Sequence, residues 1–222
     1  MAKRFIVSSA ARRFLTAFGL AAALGTLPVQ GFAQDLNSPN QSGPPKRKPP
    51  EAPAKLPKVP TDRTKGLDFL FGALKAAPDD DSAKAVEARI WAIWLQTPSD
   101  TAALLMMRAK AAMDAQQAEL AIKLLDAVIK LRPDYVEAWN RRATLYYLQN
   151  DYGRSIADIQ QVLVREPRHF AALAGLGMIM QDLGDDKHAL GAFRKALAIN
   201  PHLEKVPELI KQLSEKVEGR DI

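Results

Sequence analysis

Residues 132–167 read Arg132-Pro133-Asp134-Tyr135, then Val136-Glu137-Ala138-Trp139-Asn140-Arg141-Arg142-Ala143-Thr144-Leu145-Tyr146-Tyr147. A break follows at Gln149-Asn150-Asp151-Tyr152, then Ser155, Ile159, Val162 and a closing Pro167. Pro133, Pro167 and Pro201 lie 34 residues apart. A fixed period of this length marks a stacked-repeat architecture.

The neighbouring stretches keep the same spacing. In 102–133 it reads Leu105-x2-Arg108-Ala109-x2-Ala112, then Ala121-x3-Leu125, Val128 and Pro133. In 170–201 it reads Leu173-x2-Leu176-Gly177-x2-Met180, then Ala189-x3-Phe193, Ala196 and Pro201. Three units in phase resemble tetratricopeptide repeats, whose pattern is W-x2-L-G-x2-Y, A-x3-F and a closing proline. The resemblance implies an all-α solenoid, a right-handed superhelix of antiparallel helix pairs.

The physics of each unit stands beside the resemblance. Small residues recur in pairs, Ala109 with Ala121, Ala143 with Ser155 and Gly177 with Ala189. They suit two antiparallel helices in close approach. Large apolar residues follow helical spacing on both helices. Gly184-Asp185 offers a left-handed helix end followed by an N-cap. Arg108 and Arg142 depart from the pattern, standing where it has leucine. Either their stems pack while their heads reach solvent, or the stacking is looser there.

The chain divides into five segments by composition. Residues 1–33 begin with Lys3, Arg4, Arg12 and Arg13, continue through an apolar run from Phe14 to Leu27, and end in Gly31-Phe32-Ala33. That order describes a secretory signal peptide cleaved after Ala33, with an uncleaved inner-membrane anchor as the alternative. Residues 34–65 hold eight of the fifteen prolines and the basic run Lys46-Arg47-Lys48. Proline at this density blocks helix and sheet, so this is a disordered basic linker. It serves either as a solvated spacer or as a contact to a membrane surface or envelope polymer. Residues 66–98 read as one more helix pair, a degenerate repeat or N-terminal cap lacking the small-residue signature. Residues 99–201 are the three repeats. Residues 202–222 carry a capping helix opened by Pro207, half polar, of the kind that closes a solenoid end.

Charge and residue inventory narrow the function. The net charge of +6 belongs to residues 1–65; residues 66–222 hold 20 basic and 22 acidic side chains. The repeats lack the basic footprint of a nucleic-acid binder. There is no cysteine, so cysteine nucleophiles, disulfides and thiolate metal sites are excluded. His169, His188 and His202 show no metal-ligand spacing and read as solvated turn residues. Asp79-Asp80-Asp81 reads as helix N-capping. No nucleophile elbow or phosphate loop appears. No enzyme activity and no cofactor is expected.

In the tetratricopeptide family the first helix of each repeat lines a concave surface. Carried over, those positions are Met106 and Lys110 in the first repeat. In the second they are Asn140, Thr144 and Tyr147, with Arg141 beside them, and in the third Met178 and Gln181 together with Ala174. Methionines suit a groove for ligands of variable shape, or else fill gaps between repeats. A full carboxylate clamp is not expected, because the third repeat has Ala171 and Gly175 where bases would stand. The reading is a periplasmic or secreted adaptor that binds a peptide or helix of another envelope protein. A structural tether acting through the basic linker is the alternative.

Overall fold

A computed structural model describes residues 62–97 and 99–219. The leader, the linker up to residue 61, Pro98 and the last three residues lie outside the described part, and so do the expectations made for them. The described residues form nine helices: α1 (Arg63–Lys75), α2 (Asp80–Trp94), α3 (Asp100–Asp114), α4 (Ala118–Leu131), α5 (Val136–Leu148), α6 (Tyr152–Arg165), α7 (Phe170–Asp182), α8 (Asp186–Ile199) and α9 (Val206–Val217). Pairs α3–α4, α5–α6 and α7–α8 are the three repeats. None of these helices is long and apolar enough to cross a membrane.

Within each repeat one turn is built three times over. Gln116, Asn150 and Gly184 adopt left-handed backbone, with φ of 58°, 60° and 78°. The next amide reaches back five residues, Gln117 to the Ala112 carbonyl, Asp151 to Tyr146 and Asp185 to Met180, at 2.8–2.9 Å. This is the Schellman closure, which satisfies carbonyls left open at a helix end. Asp151 and Asp185 then cap the following helix, each carboxylate accepting the amide hydrogen three residues on. Asp79 and Ser99 cap α2 and α3 in the same way. Between repeats, Arg132, Glu166 and Asn200 leave the helical region, with φ/ψ of −138°/79°, −138°/88° and −121°/97°, as the proline after each favours.

The small-residue pairs lie where the helices cross. Ala109, Ala121, Ser155 and Ala189 are fully buried. Ser155 Oγ donates to the Ala143 carbonyl at 2.8 Å, tying α6 to α5. At Gly177 a Cβ would stand 2.7 Å from the Phe193 ring, so glycine is required for α7 to approach α8.

Arg142 settles one departure from the pattern. Its Nε and Nη2 donate to both oxygens of Asp158 (2.8 and 2.7 Å), and Nη1 donates to Asp126 at 2.6 Å. Its guanidinium also lies over the Trp139 ring at 5.0 Å. The head is turned into the joint between repeats one and two instead of reaching solvent. Arg108, in the same register, is exposed.

Helix α5 touches α7 directly, so the first helices of the repeats form the inner, concave layer. At the far end α9 lays Val206 and Leu213 into the interior and is tied to α8 by Arg194 to Glu218 at 2.7 Å.

The pair α1–α2 differs from expectation. The sequence places it in line ahead of the first repeat. Instead its core of Leu67, Leu70, Phe71, Leu74, Val86, Ile90 and Trp94 is shared with Phe170 and Ala171, and with Ile199 and Leu203 beside them. The pair therefore lies across the turns between repeats. Polar contacts fasten it there. Arg168 donates to Asp68 (2.5 Å), Asn200 to Glu87 (3.0 Å) and Tyr135 to the Leu95 carbonyl (2.8 Å), and Lys84 pairs with Glu204 (3.0 Å). The reason is periodic. Tyr135, His169 and Leu203 stand 34 residues apart and present a ladder of large side chains along one edge of the array. The first helix, α1, also starts earlier than the linker reading allowed, at Arg63, because the Asp62 side chain accepts from the Lys65 amide at 2.9 Å.

Candidate functional site

The concave layer is built from α3, α5 and α7, and the edge nearest their N-termini is walled by α2. At that wall His169 is fully buried and stacks on the Trp94 ring, with centroids 4.2 Å apart. Its Nδ1 accepts the Ala172 amide hydrogen at 3.1 Å, capping α7. The ring proton therefore sits on Nε2, which donates to Glu137 Oε1 at 2.8 Å. Glu137 is buried, an unusual place for a carboxylate without such a partner. His169 is thus no solvated turn residue. The α1–α2 pair covers it.

Beside Glu137 lie Asn140, whose Nδ2 donates to the carboxylate at 3.5 Å, and Arg141, whose Nε stands 3.9 Å from it. That is beyond hydrogen-bond reach, and this buried Nε has no hydrogen-bond partner among the described residues. The Tyr135 phenol is pushed up to about 12, by burial first and then by the Glu137 charge. It stays neutral and donates across to α2.

The expected groove residues divide into two sets. Met106, Asn140 and Met178 are buried and so are not open to a partner. Met106 belongs to the core joining repeats one and two, so there methionine fills space between helices and does not line an open surface. Lys110 is exposed, its ammonium paired with Asp114 at 2.7 Å. Arg141, Thr144, Tyr147 and Gln181 are half-buried. Thr144 donates to the Asn140 carbonyl at 3.0 Å. Burial pushes the Tyr147 phenol upward and the Asp182 carboxylate beside it adds to the shift. It is therefore a neutral donor at any physiological pH. Tyr147 packs on Tyr152 with centroids 6.0 Å apart. This lining offers cationic, hydroxyl and amide groups beside an aromatic face. It suits recognition of a polar chain; among the described residues no three metal-ligating side chains converge.

A sequence profile described as "Tetratricopeptide repeat" matches residues 106–160 and 144–204. A TPR repeat-containing protein of Rhizobium etli is 40% identical over 153 residues, covering 69% of this chain and 75% of its own length. The chain belongs to the tetratricopeptide-repeat family. Solved tetratricopeptide domains share the fold. The Sgt2 TPR domain from Aspergillus fumigatus superimposes with a TM-score of 0.50 at 21% identity, covering 55% of this chain and 82% of that one. The first TPR of Spaghetti (RPAP3), solved bound to HSP90 peptide SRMEEVD, gives 0.52 at 14% identity, covering 55% and 97%.

Tetratricopeptide domains are typically non-enzymatic modules of protein–protein interaction. Within this tetratricopeptide array, sequence reasoning missed Tyr135, Glu137 and His169. Their signal was present in the register. Tyr135, His169 and Leu203 occupy equivalent turns, and three large side chains at one repeat position point to a shared neighbour.

Proposed function

We propose that the protein is an adaptor that holds an extended segment of a partner protein in its concave groove. The contacts run along Lys110, Arg141, Thr144, Tyr147 and Gln181. The observation that carries this reading is the half-open lining on α5 and α7. It combines an arginine whose side chain stays 24% exposed with a neutral, half-buried tyrosine. Arginine and tyrosine are the side chains that most often dominate a protein interface. The peptide-bound RPAP3 domain supports the same use of the fold. The buried Met106, Asn140 and Met178 set the floor and leave contact to their neighbours.

The leader motivates an envelope address, and the partner is then an envelope protein. Affinity capture from an envelope fraction tests both parts. The full chain is compared with a variant carrying Arg141→Ala, Tyr147→Ala and Gln181→Ala. A protein retained by the natural chain and lost from the variant, at unchanged helicity, is the expected result. Equal recovery from both removes the groove from the account. A groove-dependent partner found only in the cytosolic fraction removes the envelope address and keeps the groove.

A further inference from the structure

In repeats one and three the first helix ends on an acid. Asp114 and Asp182 stand in the same register, with Leu148 at that place in repeat two. In repeat one the acid has its cation one turn back, with Lys110 Nζ 2.7 Å from Asp114. In repeat three the residue one turn back is Met178. Asp182 is exposed and makes no ion pair with another described residue. The acids near it are paired, Asp186 with Lys216 and Asp151 with Arg154.

What Asp182 touches is aromatic. The Tyr152 hydroxyl donates to Asp182 Oδ2 at 3.2 Å, with Asn150 Oδ1 as a second acceptor at 3.3 Å. The Tyr152 ring packs on Tyr147, with centroids 6.0 Å apart and planes inclined by 39°. Burial first, and then the Asp182 charge, pushes both phenols upward. A carboxylate offers about four lone-pair positions, so the Tyr152 hydrogen bond leaves room for a further donor. The adjacent Tyr146 has the Arg154 guanidinium over its ring at 4.6 Å; among the described residues no cation lies over Tyr147 or Tyr152. The helix ends add the same sign. Neither α5 nor α7 has a basic residue in its last turn, and a helix C-terminus carries partial negative charge that favours a cation.

We propose that Asp182, Tyr147 and Tyr152 form a subsite for a basic side chain of the partner segment, a lysine by the precedent of Lys110. Its ammonium binds the Asp182 carboxylate as Lys110 binds Asp114, and its stem lies against the tyrosine rings, whose faces attract cations. Charge complementarity chooses this occupant: an unpaired carboxylate and two helix C-termini repel an acidic segment. The subsite rests on the groove reading for its partner, since Tyr147 is one of the groove contacts, and it adds the chemistry that the segment must carry.

Tyrosine-ring NMR signals of the full chain test it. The chain is titrated at millimolar concentration with N-acetyl-lysine methylamide and, separately, with the glutamine counterpart. The lysine compound is expected to shift the Tyr147 and Tyr152 signals, assigned through Tyr147→Phe and Tyr152→Phe. It should bind at least about fivefold more tightly than the glutamine compound, as an exposed ion pair and a cation–ring contact together give. Asp182→Asn should keep helicity and abolish that preference. Equal binding of the two compounds overturns the proposal, and so does a lysine preference that survives Asp182→Asn. A variant carrying Lys46→Gln, Arg47→Gln and Lys48→Gln checks the chain's own basic segment. Lysine binding gained only in that variant puts that segment in the subsite and overturns the assignment to a partner. Affinity capture separates the subsite from the groove. A partner lost from the Arg141, Tyr147 and Gln181 variant but fully kept by Asp182→Asn overturns the subsite and leaves the groove standing. Lysine-selective shifts in a chain that captures no partner support the subsite while the groove reading fails.

Discussion

Arg142 occupies a place where the repeat pattern has leucine, and its environment explains the exchange. Asp158 is 5% exposed on its side chain, so it needs a cation there. Removing one partner of such a buried pair leaves an uncompensated charge and costs about 3–5 kcal/mol. Urea unfolding should show a loss of that order for Arg142→Leu. The double change Arg142→Leu, Asp158→Leu should recover most of it; no recovery in the double variant would show that the arginine acts by packing on Trp139. The three left-handed turns give a second residue-scale expectation. Gln116 holds φ of 58° without the freedom of glycine. Gln116→Gly should therefore stabilise the fold by roughly 0.5–1 kcal/mol and Gly184→Ala should destabilise it by roughly 1 kcal/mol. Paired denaturation curves read both signs.

Among the helices, three are held at their starts by Asp79, Asp151 and Asp185, whose carboxyls lie below the ordinary range, first because backbone amides hydrogen-bond to them. A carboxyl lowered in the folded chain contributes stability that is present above its unfolded pKa, about 4. That stability is lost as pH falls through the lowered folded value. Asparagine keeps the cap and removes the titration. The triple Asp→Asn variant should thus show a flatter fall in melting temperature between about pH 5 and 2 than the natural chain; identical slopes would place the acid sensitivity elsewhere.

The elements also show what the sequence made legible. Helices α3–α9 were readable because each repeat's neighbours lie within one period, so close-packed pairs such as Gly177–Ala189 sit in a fixed local register. The capped turns were readable for the same reason. The position of α1–α2 was not, because its partners Phe170, Leu203 and Asn200 lie about a hundred residues downstream. An apolar stripe such as Leu67, Leu70, Phe71, Leu74 says that a helix buries a face, not against what. The burial of His169 under Trp94 escaped for that same reason. Groove positions taken from the family describe a bare array, and here one edge of the array carries its own wall.

At the scale of the whole molecule, the wall and the groove are parts of one arrangement. Trp94 is fully buried between α2 and the turn at His169. Trp94→Ala removes a large packed side chain, a loss of about 3–5 kcal/mol. Hydrogen exchange should accelerate in α1 and α2 while α5–α8 keep their protection; uniform acceleration would mean that the pair and the repeats unfold as one. The proposed adaptor role depends on where a partner touches the array. Photo-crosslinking measures this directly, with a photoreactive residue placed at Gln181 in the groove or at Lys195 on the exposed side of α8. The account predicts that one partner band appears from position 181 and not from 195. A band from 195 alone would move the binding surface to the outer helices and contradict the groove.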